Sequence, residues 1–357
     1  MSSPSVSGPD GPEVVVITGA SAGIGRATVR AFAETGAHIA LLARDRARLE
    51  EAQKEVEELG GKALCICVDM ADADQVEAAA SRVEDELGPI DIWVNNAMAT
   101  IFAPFGQISS DDYRRVTDVT YHGFVWGTMA ALKRMRPRNR GTIVQVGSAL
   151  AYRAIPLQSP YCGAKHAIKG FTESVRTELL HDKSKVHITM VDMPGVNTTQ
   201  FGWCKTTLPN EPKPMGTYFQ PEVAARAILW AAHAKRREVW VSLPASMAIV
   251  GEKFVPQLLD QYLGKVGVEG QQTEQPIDPA RVDNLWRPVP GPYGAHGTFD
   301  KGAHTRSLGL WLSMNRNWLL AGVAAIAGLA GANALHKTRA KSRPVGENHS
   351  TERARRS

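Results

Sequence analysis

At 357 residues the chain is long enough to bury a sizeable core, and 43% hydrophobic with 22% charged residues excludes a disordered chain or a coiled coil. The formal charge of +5 would suit a nucleic-acid partner, but seven Lys/Arg against two Asp/Glu in residues 336–357 account for all of it. The other 335 residues are formally neutral and carry no basic excess with which to track a phosphate backbone, so no nucleic-acid partner is expected.

Residues 1–12 lack the basic and apolar stretches of a cleaved secretory signal and read as a flexible leader. From residue 13 short apolar runs alternate with helical stretches. Runs 14–18 (VVVIT), 38–43 (HIALLA), 63–68 (ALCICV), 90–94 (IDIWV), 142–146 (TIVQV) and 186–191 (VHITMV) are predicted strands, and 238–242 (EVWVS) closes the series. Within 44–59, Leu49, Ala52, Val56 and Leu59 recur at helical spacing. Such alternation predicts a doubly wound α/β domain of the Rossmann type over 13–245, its parallel sheet covered on both faces. Residues 246–317, rich in Gly, Pro, Gln and aromatic side chains, show no periodicity and are predicted to form an irregular extension packed back on the domain. Cys65, Cys67, Cys162 and Cys204 fit neither a zinc site nor a disulfide framework, so no metal is expected and all four are predicted to be buried thiols in a reducing compartment.

The first strand runs through Thr18-Gly19-Ala20-Ser21-Ala22-Gly23-Ile24-Gly25 into an amphipathic helix. Glycines at 19, 23 and 25 let the backbone turn tightly and approach a pyrophosphate whose charge meets the helix N-terminus, as dinucleotide binding requires. The second strand ends Leu42-Ala43-Arg44-Asp45, with no acidic residue at the strand end to hold a ribose 2′-hydroxyl. Arg44, always charged and able to grip a phosphate with two nitrogens, favours NADP over NAD. The competing reading makes Arg44 a solvated charge beside Asp45 as a helix N-cap.

Ser148 follows a predicted strand, and Tyr161 and Lys165 stand at i, i+4, on one face of a helix. A phenol titrating near about 10 is a poor acid at neutral pH, and a cation four residues away favours the phenolate and lowers that value. Ser148 is placed to hold a substrate oxygen, and with a nicotinamide the set suits carbonyl reduction. Alone, the Tyr161–Lys165 pair would be an ordinary helix contact; its place downstream of a dinucleotide loop gives it weight.

With these motifs in this order, the sequence resembles the short-chain dehydrogenase/reductase family, in the group with a TGxxxGxG loop and a YxxxK pair, over roughly residues 12–245. The thirteen-residue gap from Ser148 to Tyr161 is common in that family, Asn95-Asn96-Ala97 matches its NNAG motif, and Pro194-Gly195 with Thr198 resembles its PGxxxT segment. The resemblance implies that Tyr161 is the general acid in reduction and the base in oxidation. It implies that Lys165 lowers the tyrosine and binds the nicotinamide ribose, and that Ser148 orients the substrate oxygen. Cofactor contacts are implied for Thr18, Gly19, Ser21, Gly23, Ile24 and Gly25, for Arg44 on a 2′-phosphate, for Asp69 on adenine, for Asn96 and Ala97, and for Pro194, Gly195 and Thr198 near the nicotinamide. Two departures stand out. Met98 replaces the glycine that ends NNAG, and Thr120 occupies the asparagine position of a VNxxG segment. Thr120 is thus the fourth catalytic candidate, able to keep the backbone carbonyl of a water-linked proton relay but not the amide.

After Thr198, the segment FGWCKTTLPNEPKPMGTYF falls where the family has its mobile substrate lid. Its Phe201, Trp203, Leu208, Met215, Tyr218 and Phe219 fit either an apolar substrate or simple packing of the lid. Residues 318–335 form 18 uncharged positions, about 27 Å as a helix against a hydrocarbon core near 30 Å, followed by the basic tail 336–357. A weak tail anchor, a helix lying on a membrane surface and a helix packed on a partner all remain open. The expected protein is a cytoplasmic NADP-dependent oxidoreductase interconverting an alcohol and a carbonyl on an apolar small molecule, with membrane contact through 318–335 as a variant. The family resemblance implies a homo-oligomer, a dimer or tetramer. The alternative is a catalytically weak, membrane-associated scaffold that keeps the cofactor-binding fold.

Overall fold

The structure, a computed structural model, describes residues 11–319 together with Ser7, Gly8 and Gly322. Most of the predicted leader 1–12, most of the apolar segment 318–335 and all of the tail 336–357 therefore lie outside the described residues. The chain divides into two compact units, Met1–Ser313 and Met314–Ser357; in the second, residues 314–319 are helical.

The β-branched runs of the first unit become strands β1 (Val14–Thr18), β2 (His38–Ala43), β3 (Lys62–Cys67), β4 (Ile92–Asn95), β5 (Thr142–Ser148), β6 (His187–Met193) and β7 (Glu238–Trp240). Among the described residues they form one seven-stranded sheet in the order β7-β6-β5-β4-β1-β2-β3, parallel throughout. Val15 and Ile17 alternate with Val14 and Val16 and are as deeply buried, so both faces of β1 are covered, as a parallel sheet requires. The cover comes from α1 (Gly23–Ala33), α2 (Arg46–Glu58), α3 (Ala73–Leu87), α4 (Ser110–Thr117), α5 (Gly123–Arg138), α6 (Ser159–His181), the single turn α7 (Gln200–Trp203) and α8 (Pro221–His233). One continuous core joins Val76 and Val83 of α3, Ala131 and Met135 of α5 and Leu179 of α6 to Val16, Trp93, Ile143 and Ile188 of the sheet. The strand order reverses between β1 and β4, and a crevice outside the carboxyl ends is expected at that switch point.

Polar side chains of β4 and β5 bond to one another and to α5. Trp93 Nε1 donates to Asn95 Oδ1 at 2.8 Å, and Asn95 Nδ2 donates to Gln145 Oε1 at 2.9 Å and Thr128 Oγ1 at 3.1 Å, tying β4 to β5 and α5. Between α1 and α2, Glu55 accepts from Arg26 Nε at 2.8 Å and Arg30 Nε at 2.7 Å. Burial alone would raise its carboxyl, but the bonds from Arg30 and Arg26 outweigh that and hold it at about 2 against an ordinary 4.5. A depressed carboxyl adds stability that is complete above about 4.5 and is lost as the pH falls toward 2. The gap in urea midpoint between wild type and Glu55→Gln should thus be constant from neutrality down to pH 5 and shrink below it. A gap that persists to pH 2 would refute this.

Two expectations are corrected. The segment 246–317, predicted to be irregular, is entered by two helices, α9 (Leu243–Phe254) and α10 (Pro256–Val266), before loops and the short strand Gln272–Pro276 take over. Ser242 caps α9 by accepting from Ala245 N–H at 3.2 Å, and prolines stand in the first turn of each helix, where their missing N–H costs nothing. The Gly- and Pro-rich stretch that follows masked this local signal. Cys67, predicted buried, is exposed because it ends the edge strand β3, whereas Cys65, Cys162 and Cys204 are buried thiols, pushed up by that burial.

Candidate active site

Two adjoining clefts open at the carboxyl ends of the strands, one of about 180 Å³ and one of about 640 Å³, and both are walled by Ile24, Asn96, Met98 and Thr198. The smaller lies over the β1–α1 turn. Gly19 sits at φ +68°, a conformation glycine adopts without strain. At Gly25 a Cβ would stand 2.0 Å from Gly19 O and 2.7 Å from Asn96 Nδ2, so only glycine lets α1 start this close to the strand. Thr18 and Asn96, both predicted to contact the cofactor, use their polar atoms to fix this turn. Thr18 Oγ1 accepts from Asn96 N–H at 2.8 Å and Ala97 N–H at 3.0 Å, and Asn96 Nδ2 donates to Thr18 O at 2.9 Å. Ser21, Gly23, Ile24 and Ala97 line the cleft, and the N-terminus of α1 has no side-chain cap.

Arg44 and Arg48 form the cationic end of this cleft. Asp45 caps α2, its Oδ1 accepting from Arg48 N–H at 3.1 Å, as the competing reading held, but Arg44 is not a solvated charge. Its Nη1 donates to Leu285 O at 3.2 Å and its Nη2 to Asn284 O at 2.5 Å, and burial lowers its guanidinium. Arg48 donates to Asp45 Oδ2 and stands 4.8 Å over the Trp203 ring, which packs edge-on against Tyr293 at 4.6 Å. Asp69 lines the cleft, but its carboxylate accepts from Arg115 Nη2 at 2.6 Å, so it also holds α4 in place. The segment 284–297 of the extension, which nothing in the pattern marked as part of a site, thus lies along this wall. Its Gly294 O accepts from Gly23 N–H at 3.1 Å, inside the glycine turn.

The larger cleft receives Ser148 from the end of β5 and Tyr161 and Lys165 from α6, together with Pro194, Gly195 and Thr198 from the chain after β6. Lys165 is 2% exposed, donates to Val146 O at 2.7 Å, and lies 4.6 Å over the Phe124 ring and 5.5 Å from the Tyr161 ring. Burial pushes its ammonium down to about 7, with Asp192 pulling the other way. Burial also pushes the Tyr161 phenol up, while Ser148 draws it down by hydrogen bonding. The expected lowering of Tyr161 by the lysine is therefore not what sets the phenol here: burial raises it, and the Ser148 hydrogen bond is what draws it down.

Thr120 does not reach this cleft. It is buried in the π-helical turn Asp118–His122, its Oγ1 donating to Ala99 O and accepting from Ala99 N–H, both at 2.9 Å. The Thr120 hydroxyl therefore ties that turn to the chain leaving β4. Met98 stands where the two clefts meet. The predicted lid divides between its two readings: Phe201 and Met215 line the larger cleft, whereas Leu208 and Phe219 are buried in packing and Trp203 faces Arg48. Met247, Leu259 and Tyr262 of α9 and α10 supply a further wall that sequence reasoning missed. Among the described residues no helix is long and apolar enough to cross a membrane, and no group of His, Cys, Asp and Glu is arranged to hold a metal.

The family model for short chain dehydrogenases matches residues 13–206. Among curated proteins, the uncharacterized oxidoreductase YxnA of Bacillus subtilis is 33% identical over 77% of this chain and 78% of its own length. The 3-dehydrosphinganine reductase of Danio rerio is 31% identical over 60% of this chain and 67% of its own. Among solved structures, an alcohol dehydrogenase from the archaeon Thermococcus sibiricus, complexed with 5-hydroxy-NADP, superposes with a TM-score of 0.55 at 28% identity, covering 64% of this chain and 95% of that one. The chain belongs to the short-chain dehydrogenase family and is an NAD(P)-dependent oxidoreductase acting on CH–OH and C=O groups.

Proposed function

We propose that the protein interconverts an alcohol and a carbonyl on an apolar substrate and uses NADP in preference to NAD. The observation that carries this reading is the convergence of Ser148, Tyr161 and Lys165 on one large cleft beside the glycine turn. Phe102, Phe201, Met193, Met215 and Leu263 make that cleft predominantly apolar. The likeness to a 3-dehydrosphinganine reductase and to an alcohol dehydrogenase holding an NADP derivative supports the same reading.

The tight turn at Gly19 and Gly25, the uncapped start of α1 and the Arg44–Arg48 end suit a phosphorylated dinucleotide. Gly19, Ser21, Gly23, Ile24 and Gly25 would hold its pyrophosphate, Asp69 and Ala97 its adenine, Arg44 its 2′-phosphate, and Pro194, Gly195 and Thr198 its nicotinamide end. When bound, it supplies or accepts the hydride. In reduction the Tyr161 hydroxyl gives its proton to the carbonyl oxygen, and in oxidation the phenolate takes it back. Ser148 orients that oxygen, and Lys165 keeps the phenol ready by returning its proton. The apolar walls exclude water around these groups.

Titration with NADPH and NADH, followed by quenching of protein fluorescence, tests the cofactor. NADPH should bind more tightly, and Arg44→Ala should remove the difference, a loss of roughly tenfold or more for a charged hydrogen bond. Equal affinities in the wild type would overturn the NADP preference.

A further inference from the structure

The larger cleft is mostly apolar, and its charged lining is of one sign. Among the described residues it is walled by three cations, Arg153, Lys165 and Lys213, and by no aspartate or glutamate. Two of the cations are already committed. Arg153 Nη1 donates to Glu252 Oε2 of α9 at 2.8 Å and its Nη2 to Asp260 Oδ1 of α10 at 2.6 Å, so its charge is matched while it fastens both helices to the turn after β5. Lys165 is held at Val146 O beside the Tyr161 ring.

Lys213 is different. It follows the short strand Asn210–Pro212 and is half-buried, and its ammonium has no ion pair or hydrogen bond among the described residues. The nearest acid along the chain, Glu211, is taken by Arg281. The Lys213 backbone is fixed nonetheless. Its N–H donates to Gln271 O at 2.9 Å, and Gln271 is 0% exposed. The Gln271 side chain donates to Pro156 O at 3.0 Å and accepts from Gln158 Nε2 at 2.7 Å. The next residue, Pro214, packs beside Gly195, where a Cβ would stand 3.4 Å from Pro214 Cβ. An anchored backbone thus carries an unmatched positive charge on the wall of an apolar cleft. A wholly apolar substrate would desolvate that charge without giving it a partner, at a cost, whereas an anion would pair with it more strongly than in bulk water.

We propose that Lys213 is a specificity-determining residue and that the substrate is an amphiphile: an apolar alcohol or ketone carrying an acidic group, a carboxylate or a phosphate, that pairs with the Lys213 ammonium. This rests on the reading above, in which the larger cleft takes the substrate and Ser148 and Tyr161 meet its oxygen. The apolar walls hold the carbon chain between that oxygen and the acid. A pair made away from the reacting carbon is equally strong in the ground and transition states, so it lowers KM and leaves kcat as it is.

The test compares NADPH-dependent reduction of 4-oxodecanoate and 9-oxodecanoate with that of their methyl esters, in the full chain as wild type, Lys213→Met and Lys213→Arg. In the wild type at least one acid should exceed its ester in kcat/KM by about tenfold or more, through KM, as expected of a hydrogen bond to a charged group. The ratio should fall to about one in Lys213→Met and stay above it in Lys213→Arg. Acid and ester are read on the same preparation, so any loss of folded protein in a variant cancels. The phosphate ester of 10-hydroxy-2-decanone, set against the free alcohol, separates the two anions: a larger ratio than the carboxylates give assigns a phosphate. Anions no better than their neutral counterparts, or a preference that survives in Lys213→Met, would overturn the proposal. Calorimetric titration with decanoate and with 1-decanol needs no turnover. Tighter binding of decanoate, lost in Lys213→Met, by a protein that reduces no ketone would sink the reductase reading and leave the anion site standing. Equal binding of the two by such a protein would overturn both.

Discussion

Tyr161→Phe is expected to lower kcat by about 10²–10⁴ while NADPH affinity stays close to that of wild type. The phenyl ring fills the same volume on α6 and leaves Lys165 bonded to Val146 O, so the loss isolates the hydroxyl. Single-turnover reduction and a fluorescence titration on the same preparation make the check. A variant that keeps more than about a tenth of wild-type kcat would show that the proton comes from elsewhere. Weakened NADPH binding would instead mean that the hydroxyl also holds the cofactor.

Gly25→Ala should have the second large effect. The new methyl would stand 2.0 Å from a backbone oxygen, Gly19 O, and 2.7 Å from Asn96 Nδ2, and Asn96 is itself anchored to Thr18 O. Neither neighbour is the free end of a flexible side chain, so the turn must be rebuilt, at about 2–3 kcal/mol of overpacking. Dinucleotide affinity should fall by roughly thirty- to a hundredfold, because the rebuilt backbone no longer follows a pyrophosphate. Gly106→Ala is the control: nothing lies within 4 Å of its Cβ, and both melting temperature and affinity should hold. Equal behaviour of the two variants would refute the argument from close approach.

The α/β architecture was legible because each signal is local. A strand such as Val14–Thr18 or His38–Ala43 is a run of consecutive apolar residues, and the structure places both with the predicted bounds. The glycine turn and the Tyr161–Lys165 spacing are local in the same way. What was illegible depends on partners far along the chain. Arg44 was read from its place at a strand end, and its carbonyl partners at Asn284 and Leu285, 240 and 241 residues away, left no local trace. Thr120 was read from the spacing of a motif, and only the π-helical turn shows its hydroxyl committed to Ala99. Asp192 sat unremarked inside an apolar strand, because the room it needs and the bond it accepts come from Gly147 and Tyr152 on other elements. Helices α9 and α10 leave Met247, Phe254, Leu258 and Tyr262 exposed, so they lack the polar outer stripe by which an amphipathic helix announces itself.

The bond from Gly23 N–H to Gly294 O, with the Arg44 bonds to residues 284 and 285, also sets the order of assembly during synthesis. The β1–α1 turn is among the first parts of the chain to leave the ribosome, but one wall of its cleft is not made until about 270 residues have followed. At roughly 5–20 residues per second, the nascent Rossmann unit spends many seconds with that wall open. Closure of so long a loop comes late, after the sheet has formed, so the nucleotide end of the cleft is the last part of this domain to mature.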